Sequence, residues 1–190
     1  MYQFRDQRQQ EPVENLIKLF GLQENRKTID GITIREILPF DKGVICSWVR
    51  SRSALRLVAS DDSDWLTLEI LNIWLTHSKH HLLAYDTIKH RPVGFCTLST
   101  EEISHIPIGY IEICHLIVDP RWRYFSVGAL LCKAAKRIAT QMGYITICGR
   151  VVPSNLYGLA LASHERFVEC TSEQHWFVPG FRWFIYQLYN

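Results

Sequence analysis

In the segment Glu112 to Gly128, which reads E-I-C-H-L-I-V-D-P-R-W-R-Y-F-S-V-G, two features could do chemistry: a carboxylate set in an apolar run, and a turn that opens a helix. Ile111, Ile113, His115 and Ile117 alternate with Tyr110, Glu112, Cys114, Leu116 and Val118. Both faces are largely apolar, the pattern of a central strand covered on both sides. Such surroundings are expected to raise a carboxyl pKa towards the working range of a general base. The competing reading of Glu112 is a buried carboxylate tied into a structural hydrogen-bonded pair. Asp119-Pro120 ends the strand, and from Ser126 the residues Val127, Leu130, Leu131, Ala134, Ile138 and Met142 recur at helical spacing. The intervening turn therefore presents unpaired backbone N–H groups and the positive end of a helix dipole, which suit a phosphate without needing a particular side chain. Gly128 would let the ligand approach the backbone closely.

The stretch Arg123-Tyr124-Phe125-Ser126-Val127-Gly128 resembles the coenzyme-A-binding motif of the GNAT superfamily of N-acetyltransferases. There, Gln or Arg is followed by two free positions, Gly, a free position, and then Gly or Ala. Arg123 and Gly128 fit, and Ser126 stands at the first glycine. Glu112 lies eleven positions before Arg123, the relation of the general-base Glu to this motif in histone acetyltransferases of the superfamily. A second element of the superfamily, Asn followed by a helix ending in Tyr and then Gly-Phe, is echoed by Asn155, Leu161 and Phe167. Ala162 occupies the position of the frequent general-acid Tyr, and Arg166 that of the glycine. Trp48, Leu55, the acidic turn Asp61-Asp62-Ser63-Asp64, Leu66-Thr67, Trp74-Leu75 and Val93-Gly94-Phe95 resemble the bacterial branch that acetylates ribosomal-protein alanine.

The resemblance implies an N-acetyltransferase that moves an acetyl group from acetyl-CoA to a primary amine of a small molecule, amino acid or protein by direct attack. Acetyl-CoA as co-substrate would lie along the strand, its carbonyl held by amides of Leu116, Ile117 and Val118. Its pyrophosphate would meet amides of Arg123, Tyr124, Phe125, Ser126, Val127, Gly128 and Ala129. Glu112 would serve as base, directly or through a water. Asn155 would meet the pantetheine arm, or else merely cap its helix. With Ala162 at the usual Tyr position, Tyr157 is the candidate acid, set against a purely structural role. The rival reading is a catalytically silent acyl-CoA-binding or protein-interaction module, suggested by Ser126, Ala162 and Arg166.

These residues need a fold to position them. At 190 residues and 47% hydrophobic content, the chain is long enough for one well-buried α/β domain. Residues 1–30 read as a polar extension, with Val13, Leu16, Ile17 and Phe20 at the spacing of a short amphipathic helix, and residues 31–190 as the transferase domain. The expected order is β-α-α-β-β-β-α-β-α-β-β: a mixed α/β sheet of about seven strands with helices on both faces. Ile32 to Leu38 form its first strand, and Asp41 caps a single helix carrying Val44, Ile45, Trp48, Leu55 and Val58.

A net charge of +2 gives no argument for a nucleic-acid or anionic-membrane partner. Lys133, Lys136 and Arg137 would either favour a polyanionic cofactor or form a solvated helix face. The six cysteines, widely spaced without a C-x-x-C pair, read as reduced core residues, and the chain as cytoplasmic. His77, His80 and His81 read as the basic end of a helix rather than a metal site, and no metal is expected. The closing aromatics Trp176, Phe177, Phe181, Trp183, Phe184 and Tyr186 are expected in the core or at the rim of the acceptor cleft. Superfamily members often dimerise, so a homodimer is an open expectation.

Overall fold

The apolar runs become seven strands of one sheet: β1 (Ile32–Arg35), β2 (His80–Asp86), β3 (Arg91–Ser99), β4 (Tyr110–Val118), β5 (Thr146–Val151), β6 (Val168–Glu169) and β7 (Arg182–Gln187). The computed structural model describes residues 31–59, 63–100, 106–170 and 180–189; the expected N-terminal helix, Asp61, Asp62, Trp176 and Phe177 lie outside them. The spatial order is β1-β2-β3-β4-β5-β7-β6. Every pair is antiparallel except β4 with β5, so the sheet is mixed, as expected.

Five α-helices accompany it: α1 (Lys42–Cys46), α2 (Arg52–Arg56), α3 (Leu68–Thr76), α4 (Val127–Gln141) and α5 (Leu156–His164). On one face, α4 sets Leu131, Ala135 and Ile138 against Leu82, Val93, Ile111 and Ile147, all fully buried. On the other, Leu55, Leu71 and Trp74 of α2 and α3 pack on Leu83, Phe95 and Ile117. Each such large side chain contributes roughly 1.5–3 kcal/mol on leaving water. Among the described helices none is long and apolar enough to cross a membrane.

Three helices, rather than the expected two, precede β2. The stretch that reads as a single helix stops at Cys46 and resumes after Ser51, whose backbone is extended (φ −150°, ψ 153°) and whose hydroxyl accepts from the Ala54 N–H at 3.2 Å. That cap starts α2 afresh. Trp48 and Val49 lie in the link and are still buried, which is why the apolar spacing runs through it. Asp41 also departs from its expected role, making no side-chain cap to α1. Its carboxylate accepts from the Leu38 N–H at 2.7 Å and takes two bonds from the Arg35 guanidinium, at 2.7 and 2.9 Å. In the histidine cluster, His77 closes α3 while His80 and His81 belong to β2, so His80 and His81 are not the basic end of that helix. Burial foremost lowers the His80 pKa to about 4.

The alternation along β4 fails at one residue. Thr97 pairs with Cys114 but Phe95 with Ile117, so two steps on β3 face three on β4. His115 takes up the extra step with φ +52°. This is a β-bulge, and it exchanges the faces of the residues beyond it. Leu116 and Val118 join Ile111 and Ile113 against the α4 core, while Ile117 joins the opposite cluster. Unbroken alternation would have put Leu116 and Val118 on the side of Glu112.

Candidate functional site

β4 and β5 pair only at Tyr110–Thr146, Ile111–Ile147 and Glu112–Cys148. Beyond Glu112 the two strands part, and β4 runs on to Val118 without β5 beside it. A cavity of about 410 Å³ occupies the opening, bounded by Ile113 to Leu116 on β4 and Gly149 to Val151 on β5. It reaches both faces of the sheet. Cys132, Leu161, Ala162 and Phe167 line it on the α4 side, and Trp74, Glu112, Arg150 and Phe181 on the other. Glu112 therefore stands where the sheet opens.

Its carboxylate is 3% exposed and lies 2.9 Å from Arg150 Nε. The register explains the meeting, because Glu112 faces Cys148 and Arg150 follows two residues on, on the same face of the sheet. The Nε–H is not aimed at the nearer oxygen, so the contact is a charge pair rather than an aligned hydrogen bond. Burial opposes the Glu112 charge and the guanidinium offsets that cost. Arg150 is itself set 5.5 Å from the Phe181 ring and 5.7 Å from the Trp183 ring.

His115 completes this wall. Its ring stacks on Trp74 with centroids 4.0 Å apart and 8° between planes, and Nδ1 is 3.0 Å from Thr97 Oγ1. Burial first, then the Arg150 charge, lowers its pKa to about 3, so the imidazole is neutral. Burial and the neighbouring Glu112 push the Cys114 thiol well up, keeping it protonated. Sequence reasoning passed over Arg150 and His115 as site residues. The available signal was Arg150 itself, the one charged side chain in the run Thr146–Val151.

The expected phosphate turn follows β4. Asp119 accepts from the Arg121 N–H at 3.0 Å and pairs with its guanidinium, fixing the short 3-10 turn Pro120–Trp122. Ser126 is the N-cap of α4, with φ +56°, ψ 13° and no side-chain cap bond. Val127, Gly128 and Ala129 open the helix, where N–H groups have no intrahelical acceptor; Leu130 is the first to bond back, to Ser126 O at 2.9 Å. The left-handed backbone favours glycine, and serine holds it at a cost of about 1–2 kcal/mol. Arg166 does the same with φ +61° at the end of α5, where Arg166 N–H bonds Ser163 O and Phe167 N–H bonds Ala162 O. Both positions thus keep a glycine-type backbone under another side chain. Ser126→Gly should raise stability by about 0.5–1 kcal/mol, relief of strain less the entropy glycine adds to the unfolded chain, or roughly 2 °C in a thermal melt. An unchanged or lower Tm would contradict the left-handed cap. Gly128 has a packing role besides any ligand approach: a Cβ there would lie 3.1 Å from Leu161 Cδ2 and 3.7 Å from Leu116 Cδ2.

Asn155 caps α5 by accepting from Gly158 N–H at 2.9 Å, and its amide donates to Leu57 O at 3.2 Å, tying α5 to the segment after α2. Both residues line the cavity. Tyr157 is 58% exposed and not among the lining residues. Its hydroxyl accepts from Tyr124 at 2.8 Å, and the Arg123 guanidinium lies 5.9 Å from its ring. The structure thus brings Glu112, Leu116 and Asn155 to the cavity and gathers Arg123, Tyr124 and Tyr157 at the turn. Lys136 belongs to neither expected class, since it donates to Glu165 O and lies 4.0 Å over the Tyr186 ring. Among the closing aromatics, Phe181 and Phe184 line the cavity, and Trp183 is buried.

The model of the acetyltransferase (GNAT) family matches residues 45–165. No curated protein matches the chain. Among solved structures, a putative phosphinothricin N-acetyltransferase is 20% identical with a TM-score of 0.64, over 84% of this chain and 99% of its own. The spermidine N-acetyltransferase of Vibrio cholerae, in complex with CoA and spermine, is 15% identical with a TM-score of 0.62, over 83% and 96%. The ribosomal-protein-S18-alanine N-acetyltransferase of Escherichia coli is 12% identical with a TM-score of 0.54, over 81% and 90%. At these identities the likeness is one of fold.

Proposed function

This chain belongs to the acetyltransferase (GNAT) family, whose members are acetyl-CoA-dependent N-acetyltransferases, and we propose that it passes the acetyl group to a primary amine by direct attack. The observation that carries this reading is the parting of β4 from β5 immediately after Glu112, with a cavity between them. The opening of α4 follows β4 on the same strand-to-helix connection. Residues 31–190 would make up the transferase domain, with residues 1–30 as an extension to it.

The residues present suit acetyl-CoA. The N–H groups of Val127, Gly128 and Ala129 would take the pyrophosphate, with Arg123, Tyr124, Phe125 and Ser126 forming the turn around it. The β4 edge from Leu116 to Val118, which β5 leaves uncovered, would take the pantetheine and the thioester carbonyl, and Asn155 would border the arm. The thioester supplies an activated acyl carbon and a thiolate leaving group. Amides aimed at the carbonyl oxygen would stabilise the negative charge that develops there. That the Vibrio cholerae relative binds CoA and spermine supports the same class of co-substrate and an amine acceptor.

Glu112, directly or through one water, would take the proton that the amine loses on attack. Tyr157 stands apart from the cavity, so the thiolate would leave unassisted or with a proton relayed from the amine. Calorimetric titration of cofactor-stripped protein tests the site: micromolar binding of acetyl-CoA and CoA, with none of ATP, is the expected result. Absence of acetyl-CoA binding would overturn the proposal.

A further inference from the structure

The charge on the cavity wall narrows the acceptor, and this step rests on the transferase reading above. Among the described lining residues Glu112 is the only carboxylate, and Arg150 the only arginine or lysine. The two are 2.9 Å apart, so the described lining carries one carboxylate and one guanidinium side by side. A polyamine needs several carboxylates in a row. The described lining offers one.

A guanidinium presents five N–H donors on two edges, so a single carboxylate approached through Nε does not exhaust it. Arg150 lines the cavity at 22% side-chain exposure, within reach of a solute. Around this pair the Glu112 side of the cavity is largely aromatic and aliphatic, with Trp74, its stacked partner His115, Phe181, Ile73, Leu57 and Val58 outnumbering the polar His77, Ser78 and Ser99. A mostly apolar wall around one adjacent plus–minus pair is the complement of a zwitterion with an apolar body.

We infer that the acceptor is an α-amino acid with a large apolar side chain, its amine at Glu112, its carboxylate on the Arg150 guanidinium and its side chain against Trp74 and Phe181. Arg150 is then the residue that sets specificity. Simple arylalkylamines offer the same body and amine but leave the free guanidinium edge unmatched, and a half-buried charge gains from a bidentate carboxylate that such amines lack.

The test compares L-phenylalanine, phenethylamine and spermidine at saturating acetyl-CoA, following thiol release, with parallel calorimetry of L-phenylalanine on the CoA-loaded protein. The expected result is a kcat/KM for L-phenylalanine at least about tenfold above phenethylamine, with spermidine inert. In Arg150→Met the ratio of the two should fall to about one, and in Arg150→Lys an intermediate ratio should remain. A ratio within one variant is insensitive to any loss of folded protein. Phenethylamine or spermidine turned over as well as L-phenylalanine would overturn the inference while leaving the transferase reading intact. Binding of L-phenylalanine without acetyl transfer would support the acceptor site and count against the transferase reading. Neither binding nor turnover of L-phenylalanine would overturn the inference, as would a ratio unchanged in Arg150→Met.

Discussion

Glu112→Gln should lower kcat by about a hundredfold or more while leaving acetyl-CoA affinity within about twofold. An alkylammonium must shed a proton before its nitrogen can attack, and Glu112 is the only carboxylate among the described residues of the cavity wall. Glutamine keeps the size and the hydrogen-bonding oxygen but cannot accept the proton. The acetyl-CoA contacts proposed above lie at the α4 turn and along Leu116 to Val118, so the affinity should be preserved. The substitution also leaves Arg150 without its ion partner. At 22% exposure that charge is partly hydrated, so the penalty should fall short of the roughly 3–5 kcal/mol typical of a fully buried pair. A thermal melt separates this effect from chemistry. The diagnostic measurement is kcat against pH on folded protein: a base lost from the reaction leaves a rate that climbs with hydroxide, whereas a structural role would scale the whole profile. Unchanged turnover at neutral pH would remove Glu112 from the base role.

The central unit was legible because its physics is local. Apolar continuity from Tyr110 to Val118, the Asp119-Pro120 stop and the spacing from Val127 to Ile138 correspond to β4, the turn and α4. What escaped was decided by tertiary partners or by backbone conformation that side-chain patterning does not encode. The bulge at His115 exists only as a mismatch between β3 and β4, so no periodicity in β4 alone could reveal that Leu116 and Val118 change faces. The Glu112–Arg150 pair depends on the β4–β5 register, and neither residue predicts it separately.

Ser126 and Arg166 carry the opposite lesson. Read as side chains they are departures from the glycines of the resembled motifs, yet the backbone is left-handed at both, so each is a replacement of side chain and not of conformation. Ser51 shows how a local detail divides a helix. Its bond to Ala54 N–H starts a new helix although the apolar pattern runs unbroken across Trp48 and Val49 from the helix that ended at Cys46. The histidines divide for a similar reason: α3 ends at Thr76 with His77 closing it, and the chain enters β2 at His80, so only His77 lies at the helix end.

Gly94→Ala should then couple stability to cofactor binding through a single methyl group. Gly94 lies on β3 beneath the first turn of α4, and a Cβ there would stand 2.6 Å from Val127 Cγ1 and 3.1 Å from Leu131 Cδ1. Val127 is 1% exposed and β-branched, so it cannot rotate out of the way. The start of α4 has to lift from the sheet, at a cost of about 1–3 kcal/mol for overpacking, or a fall in Tm of roughly 2–12 °C. The N–H groups proposed to hold the pyrophosphate sit on that same turn, so their displacement should weaken acetyl-CoA binding about tenfold in calorimetry. Gly43→Ala is the matched control, because a Cβ at that position in α1 meets nothing within 4 Å and alanine favours the helix by up to about 1 kcal/mol. A Gly94→Ala protein that melts like the parent would mean that α4 is not seated so closely on β3. One that is destabilised yet binds acetyl-CoA undiminished would move the pyrophosphate site away from the α4 turn, since the two properties are linked only if Val127 serves both.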